Sequence, residues 1–309
     1  MTMTLPKSSP AKSQPLAANL ICVASMLIWS AGLPAANLVI PHVPPVALAA
    51  LRNLLAAAFL LPIWVALEGF QPMFRANWLR GIGVGFVCVG LAVVLLIIAQ
   101  ARTDAVTVSI ITATMPVFGM ALEVALDGRR MTTALIVGLG LSLCGGLLAL
   151  GLGGWSVDLG VGALAAFGSI VAYTWGSRAT VKSFPDLTPI GRTAVTVTGA
   201  AIAMLVIALA MAAFGAEPPD WQALHGREIG ALLIYSVGSL GVSQVLWIIG
   251  VGRLGIGLAS LHLNAVPFYV MLIIFLLGGA WNGLQALGAV LVLLGVLIAQ
   301  DLIPLRARA

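Results

Sequence analysis

Residues 80–101 read RGIGVGFVCVGLAVVLLIIAQA. Arg80 stands at the head of this run, and no other charged side chain occurs until Arg102. As an α-helix rising 1.5 Å per residue, the run reaches about 33 Å, which matches a bilayer hydrocarbon core about 30 Å thick. One such helix could be buried inside a soluble protein. Many in succession could not, because nothing polar would remain to cover them. Outward from 80–101, apolar runs of similar length recur near 16–36, 45–67, 104–125, 131–151, 159–181, 187–213, 229–250, 255–277 and 283–303. They lack the alternation of barrel strands, and helices satisfy their own backbone in lipid, so ten helical spans are expected.

Composition agrees. The 309 residues are 61% hydrophobic and 8% charged, with a mean hydropathy of +1.11; a soluble chain is nearer about 25% charged. The net charge of +5 could suggest nucleic acid, but the basic residues are spread thinly between apolar runs and form no basic face. Cys22, Cys88 and Cys144 each lie in an apolar run, with no CxxC or Cys/His cluster, so buried thiols are expected and a disulfide framework or metal site is not. Lys7 and Lys12 before the first run imitate a signal peptide, yet the run exceeds the usual h-region of about 7–15 residues. Residues 1–15 are read as a cytoplasmic tail and the first run as a retained helix.

Lysine and arginine set the orientation. With the amino terminus inside, Lys7, Lys12, Arg75, Arg80, Arg129, Arg130, Arg178, Lys182, Arg192, Arg253, Arg306 and Arg308 face the cytoplasm, against Arg102 and Arg227 outside. That bias places both termini, including the tail 304–309, in the cytoplasm of a bacterial inner membrane.

The two halves, 16–151 and 159–303, also echo one another. Arg102 precedes Pro116-Val-Phe by the spacing at which Arg253 precedes Pro267-Phe-Tyr, and Ser109 and Ser260 share the same offset. Pro45 and Arg52 match Pro185 and Arg192, and Trp29-Ser30 matches Trp175-Gly176. Five spans per half force the second copy to enter the membrane upside down. The charges follow: the loop after span 4 carries Arg129 and Arg130 while its mate after span 9 has none. The expected fold is therefore all-α integral membrane, ten transmembrane helices as two inverted five-helix repeats, an architecture that permits alternating access.

MLIWSAGLPAAN, LAALRNLLAA, ARTDAVTVSIITATMPVF, AYTWGSRATVKSF and GRLGIGLASLHLNAVPFYVML together carry a resemblance to the drug/metabolite transporter superfamily, EamA type, over nearly the whole chain after residue 15. Within it the sequence looks most like the YddG-type aromatic amino acid exporters. The resemblance implies ten helices in two inverted halves and export of amino acids or related small metabolites.

Polar groups at membrane depth are the candidate substrate contacts. Arg52, about eight residues into span 2, reads either as an anchor for a substrate carboxylate or as a structural arginine bonded to helix-end carbonyls. His262 and Asn264 precede Pro267, which frees a backbone carbonyl and can break span 9; an interhelical histidine is the alternative. Thr112 occupies the corresponding place before Pro116. Trp29, Tyr173, Trp175, Gln244, Trp247 and Tyr269 complete the set, as aromatic and amide walls for a solute or as helix packing. Glu123 and Asp127, beside Arg129 and Arg130, read as an interfacial ion-pair cluster. No carboxylate lies near a span centre.

Gly250-x-Gly252-x-x-Gly255 imitates a dinucleotide fingerprint but follows a membrane span and not a strand. No phosphate-binding GxxxxGK[ST] loop exists, so ATP is not expected as a partner, nor is any cofactor. A small-molecule substrate and membrane lipid are, with the chain a monomer or weak dimer. An intramembrane enzyme would need clustered carboxylates or a Ser/His/Asp set, and repeated inverted halves argue against a channel.

Overall fold

The computed structural model describes residues 13–102, 111–112, 114–149, 160–276, 278, 281 and 283–304. Among the described residues every regular element is a helix. Six are long and apolar enough to cross a membrane: Pro15–Val39, Pro45–Glu68, Trp78–Arg102, Pro189–Ala213, Gly226–Leu254 and Ile256–Ile273. The protein is a multi-pass membrane protein.

The helices are α1 (Ser13–Val39), α2 (Pro45–Glu68), α3 (Phe70–Arg75), α4 (Trp78–Gly85), α5 (Ala92–Arg102), α6 (Met115–Asp127), α7 (Thr133–Ala149), α8 (Val161–Ser183), α9 (Pro189–Ala213), α10 (Gly226–Leu233), α11 (Ser243–Leu254), α12 (Ile256–Ser260), α13 (Val266–Leu276) and α14 (Gly283–Ala299). A π-helical segment, Phe86–Leu91, joins α4 to α5, and a second, Ile234–Val242, joins α10 to α11. Of the four remaining expected spans, the described residues include only parts of some. Thr133–Leu148 and Ala286–Ala299 are apolar but short. The 23-residue α8 carries Ser169, Thr174, Ser177, Arg178 and Lys182. The start of the span expected at 104–125 lies outside the described residues, as do Ser109 of the Ser109–Ser260 match and most of the tail 1–15.

Packing joins the two halves. Helix α2 lies against α9, α7 against α14, α5 against α8, α1 against α11, and α6 against α12. Small residues set the closest approaches, as expected where lipid supplies no hydrophobic drive between helices. A Cβ added to Gly295 would stand 2.6 Å from the Gly138 carbonyl oxygen, and one on Gly145 would stand 2.6 Å from that of Gly288. Any larger side chain would separate α7 from α14.

The chain tightens before both Pro267 and Pro116. Pro267 has no N–H to offer the Leu263 carbonyl, and the Val266 N–H donates to it, tightening Leu261–Ala265 into a 3₁₀ segment. Before Pro116 the chain tightens in the same way: the Thr114 N–H donates to the Ile111 carbonyl at 3.0 Å, and the Thr114 hydroxyl donates to the same oxygen at 2.6 Å.

Candidate functional site

The interhelical cavity is about 160 Å³. Ligand pockets commonly begin near 300 Å³, so a solute of amino-acid size fills this space, whereas a drug-sized one requires it to widen. Its wall draws on both tightened stretches and both π segments: Thr112 and Met115 near Pro116, Leu263 and Asn264 before Pro267, Val89 from the first π segment, and Ser239 and Leu240 from the second. Extra backbone width at a π segment often accompanies a functional site.

Arg52 supplies the charge. It is 4% exposed, lines the cavity, and comes from the third turn of α2. Its Nε–H donates to the Tyr235 carbonyl at 3.0 Å, Nη2 donates to the Ser239 hydroxyl at 3.4 Å, and the guanidinium lies 4.0 Å from the Tyr235 ring centroid. A guanidinium has five N–H donors. Two are engaged here, and among the described residues no carboxylate forms an ion pair with it.

Opposite in character is an aromatic and amide wall. The Tyr173 hydroxyl donates to Gln244 Oε1 at 2.9 Å, and both residues line the cavity with Trp29. Trp247 stands behind them, fully buried. It stacks on Tyr173 at 6.1 Å between centroids, and its indole N–H donates to Ser177 Oγ at 3.0 Å. Trp247 therefore orients Tyr173 from outside the cavity wall.

Six of the ten residues singled out from sequence thus meet in one cavity: Trp29, Arg52, Thr112, Tyr173, Gln244 and Asn264. Four do not. Trp175 is 40% exposed on the outside of the bundle, because two residues along a helix turn it about 200° from Tyr173. His262 is buried with Nδ1 3.1 Å from the Ala259 carbonyl; it sits two residues from Asn264 on the same tight segment and faces away from the cavity. Tyr269 is half-buried and packs edge-on to Phe268. Sequence reasoning missed Ser239, which holds Arg52 and donates to the Trp29 carbonyl at 3.3 Å. The signal was present: Ser239 sits inside Gly238-x-x-Gly241, a small-residue spacing that reads as packing unless the polar residue between the glycines is weighed.

A second cluster lies at the end of α6. Asp127, at the end of α6, receives Arg178 Nε at 2.8 Å and Nη2 at 2.7 Å, with Lys182 Nζ at 3.3 Å. The Arg178 hydrogen bonds, ahead of the Lys182 contribution, hold the Asp127 carboxyl down at about 2. Glu123 pairs with Arg129, and its Oε1 accepts the Gly257 N–H at 3.2 Å. The expected interfacial ion-pair cluster is present, with α8 and not Arg130 supplying the partners of Asp127. Gly255, at φ +84°, makes the turn from α11 to α12, in a conformation other residues rarely adopt. Among the described residues no group of His, Cys, Asp and Glu could hold a metal ion.

Comparison with known proteins bears on what such a cavity serves. Residues 16–151 match the EamA-like transporter family. The uncharacterized transporter YyaM of Bacillus subtilis (strain 168) is 26% identical over 273 residues, covering 87% of this chain and 88% of that protein. A solved protein crystal structure, 23% identical, superposes with a TM-score of 0.74 over 93% of this chain and 97% of its own, which shows a shared fold. The EamA-like match and the transporter relative point to a membrane transporter of small molecules and away from an enzyme.

Proposed function

We propose that the protein is a secondary transporter that exports small carboxylate-bearing metabolites, amino acids and above all aromatic ones, across the bacterial inner membrane by alternating access. The observation that carries this reading is Arg52: a buried cation on the wall of an interhelical cavity, with two of its N–H donors engaged and, among the described residues, no carboxylate paired to it. A solute carboxylate, gripped by the guanidinium, completes the pairing. Trp29, Tyr173 and Gln244 offer a flat aromatic and amide surface to the rest of the solute.

Alternating access requires two exchangeable halves, and ten spans in two inverted repeats would supply them. Three observations support that architecture. The pairs α2–α9 and α7–α14 bring together helices at corresponding places in the two halves, while α1–α11 and α5–α8 exchange roles between them. The offset relating Arg102 to Arg253 carries Phe86–Leu91 onto 237–242, inside the second π segment. The chain tightens in the same way before Pro116 and Pro267. The basic cluster of Arg129, Arg178 and Lys182 belongs to the cytoplasmic face under the orientation read from the charges.

The test is counterflow in proteoliposomes containing the full chain. Labelled L-phenylalanine entering vesicles preloaded with unlabelled L-phenylalanine should accumulate transiently and saturate with concentration, and Arg52→Gln should remove the overshoot. Flux that stays linear with concentration indicates a channel and defeats the proposal, as does full activity in Arg52→Gln.

A further inference from the structure

Four buried side-chain polar atoms among the described residues have no hydrogen-bond partner: Asn53 Oδ1, Thr198 Oγ1, Ser236 Oγ and Asn264 Oδ1. Of these residues only Asn264 lines the cavity. It is 2% exposed and rides on the 3₁₀ segment that Pro267 imposes on the chain.

The rest of its amide is fixed by α7. Ser142 and Gly146, one turn apart, present the same face of that helix to Asn264. The Ser142 hydroxyl donates to the Leu261 carbonyl at 3.4 Å, so its lone pair accepts Asn264 Nδ2 at 3.0 Å. This order of donors determines which way the amide points: the nitrogen is held against α7, and the oxygen is the end left over. Gly146 gives the amide its room, since a Cβ there would stand 3.2 Å from Asn264 Cβ. A buried amide oxygen without a donor is destabilising, and hydrocarbon offers it none. Asn264, a residue of the cavity wall, therefore carries an oriented, acceptor-only oxygen that is closed to solvent in this conformation, while Arg52, on another helix, is donor-only.

We infer that Asn264 Oδ1 is the specificity-determining acceptor for an N–H donor of the solute, the α-ammonium of an amino acid, so that the cavity selects a zwitterion over the corresponding plain carboxylic acid. This rests on the reading of Arg52 as the carboxylate anchor and adds a second point of recognition. A solute with a carboxylate but no donor leaves Asn264 Oδ1 unmet on binding, and a site built around a polar contact rejects the analogue that lacks it.

The experiment compares two probes that differ in the amino group alone, L-phenylalanine and 3-phenylpropanoate, each labelled, by equilibrium dialysis against the purified full chain. Wild type should bind L-phenylalanine at least about tenfold more tightly. Asn264→Leu, of similar shape without the acceptor, should bring the two within about twofold, through weaker binding of L-phenylalanine. Asn264→Asp, which keeps an oxygen and adds charge, should widen the ratio beyond wild type. The inference is overturned if Asn264→Leu keeps the wild-type ratio. Should Asn264→Leu fail to yield a monodisperse protein, an unchanged ratio in Asn264→Asp overturns it equally. Absence of any saturable L-phenylalanine binding in wild type instead defeats the amino-acid reading itself, a result distinct from binding that is indifferent to residue 264.

Discussion

Arg52 and Arg192 stand at the same spacing after a proline, seven residues beyond Pro45 and Pro185, yet the fold uses them differently. Pro45 is the first residue of α2, so Arg52 lies in that helix's third turn, buried against Tyr235 and the cavity. Pro185 precedes α9, which starts at Pro189, so Arg192 falls in the first turn. There its Nε–H donates to the Phe184 carbonyl at 2.8 Å and Nη2 to the Pro185 carbonyl at 3.0 Å, pinning the loop from α8. Arg192 spends its donors on neighbouring backbone, in a partly exposed position. Arg52 has an aromatic face, one carbonyl and a long contact to a hydroxyl. A shift of one turn in where the helix begins separates a loop clasp from a cavity cation.

The sharpest way to break this comparison is to remove each charge. Arg52→Gln should lower the affinity for a carboxylate solute by about 30-fold or more, the usual loss when one partner of a buried charge contact is truncated. Arg192→Gln should leave affinity within about twofold and lower thermal stability by about 1 kcal/mol through lost carbonyl contacts. Binding of labelled L-phenylalanine and a melting curve on each variant separate the two roles. Equal losses of affinity would show that the two arginines are alike after all.

Smaller changes ask which property of Arg52 matters. Arg52→Lys keeps the charge but loses the planar fork; a loss of about tenfold is expected, equivalent to one charge-assisted hydrogen bond. Tyr235→Leu leaves every Arg52 donor in place and removes the ring 4.0 Å from the guanidinium. About fivefold weaker binding is expected, in the range of a cation–π contact. If Tyr235→Leu proves as damaging as Arg52→Gln, the ring and not the charge dominates the site.

The sequence made an all-helical membrane fold readable for a simple reason: the apolar runs report the solvent. Pro116 and Pro267 marked where the chain tightens, because a missing N–H has a fixed consequence. Side-chain direction was harder. Tyr173 and Trp175 look equivalent in a list of intramembrane aromatics, as do His262 and Asn264. Helical phase turns one of each pair into the cavity and the other away, and phase depends on where each helix tightens. The π segments were illegible from sequence, since Phe86–Leu91 and Ile234–Val242 have no composition that distinguishes them from α-helix. Ser239 went unread with them.

Arg178 completes the comparison as an arginine whose charge has found its carboxylate. It meets both oxygens of Asp127 and ties α6 to α8. Because this pairing lowers the Asp127 pKa from 3.8 to about 2, its contribution to stability is complete above the unfolded value near 3.8 and disappears as pH falls through about 2. The pair is partly exposed, at 18% and 27% for the two side chains, so its worth is within about 1 kcal/mol. Asp127→Asn should therefore melt slightly below wild type from pH 7 down to about pH 4, with the gap closing between there and pH 2, the window over which wild-type Asp127 itself becomes neutral. Arg52→Gln, in which no carboxylate among the described residues is relieved, should show no such convergence with wild type. A convergence in Arg52→Gln would mean that Arg52 is paired to a carboxylate within the chain, and the argument for a solute anion would lose its foundation.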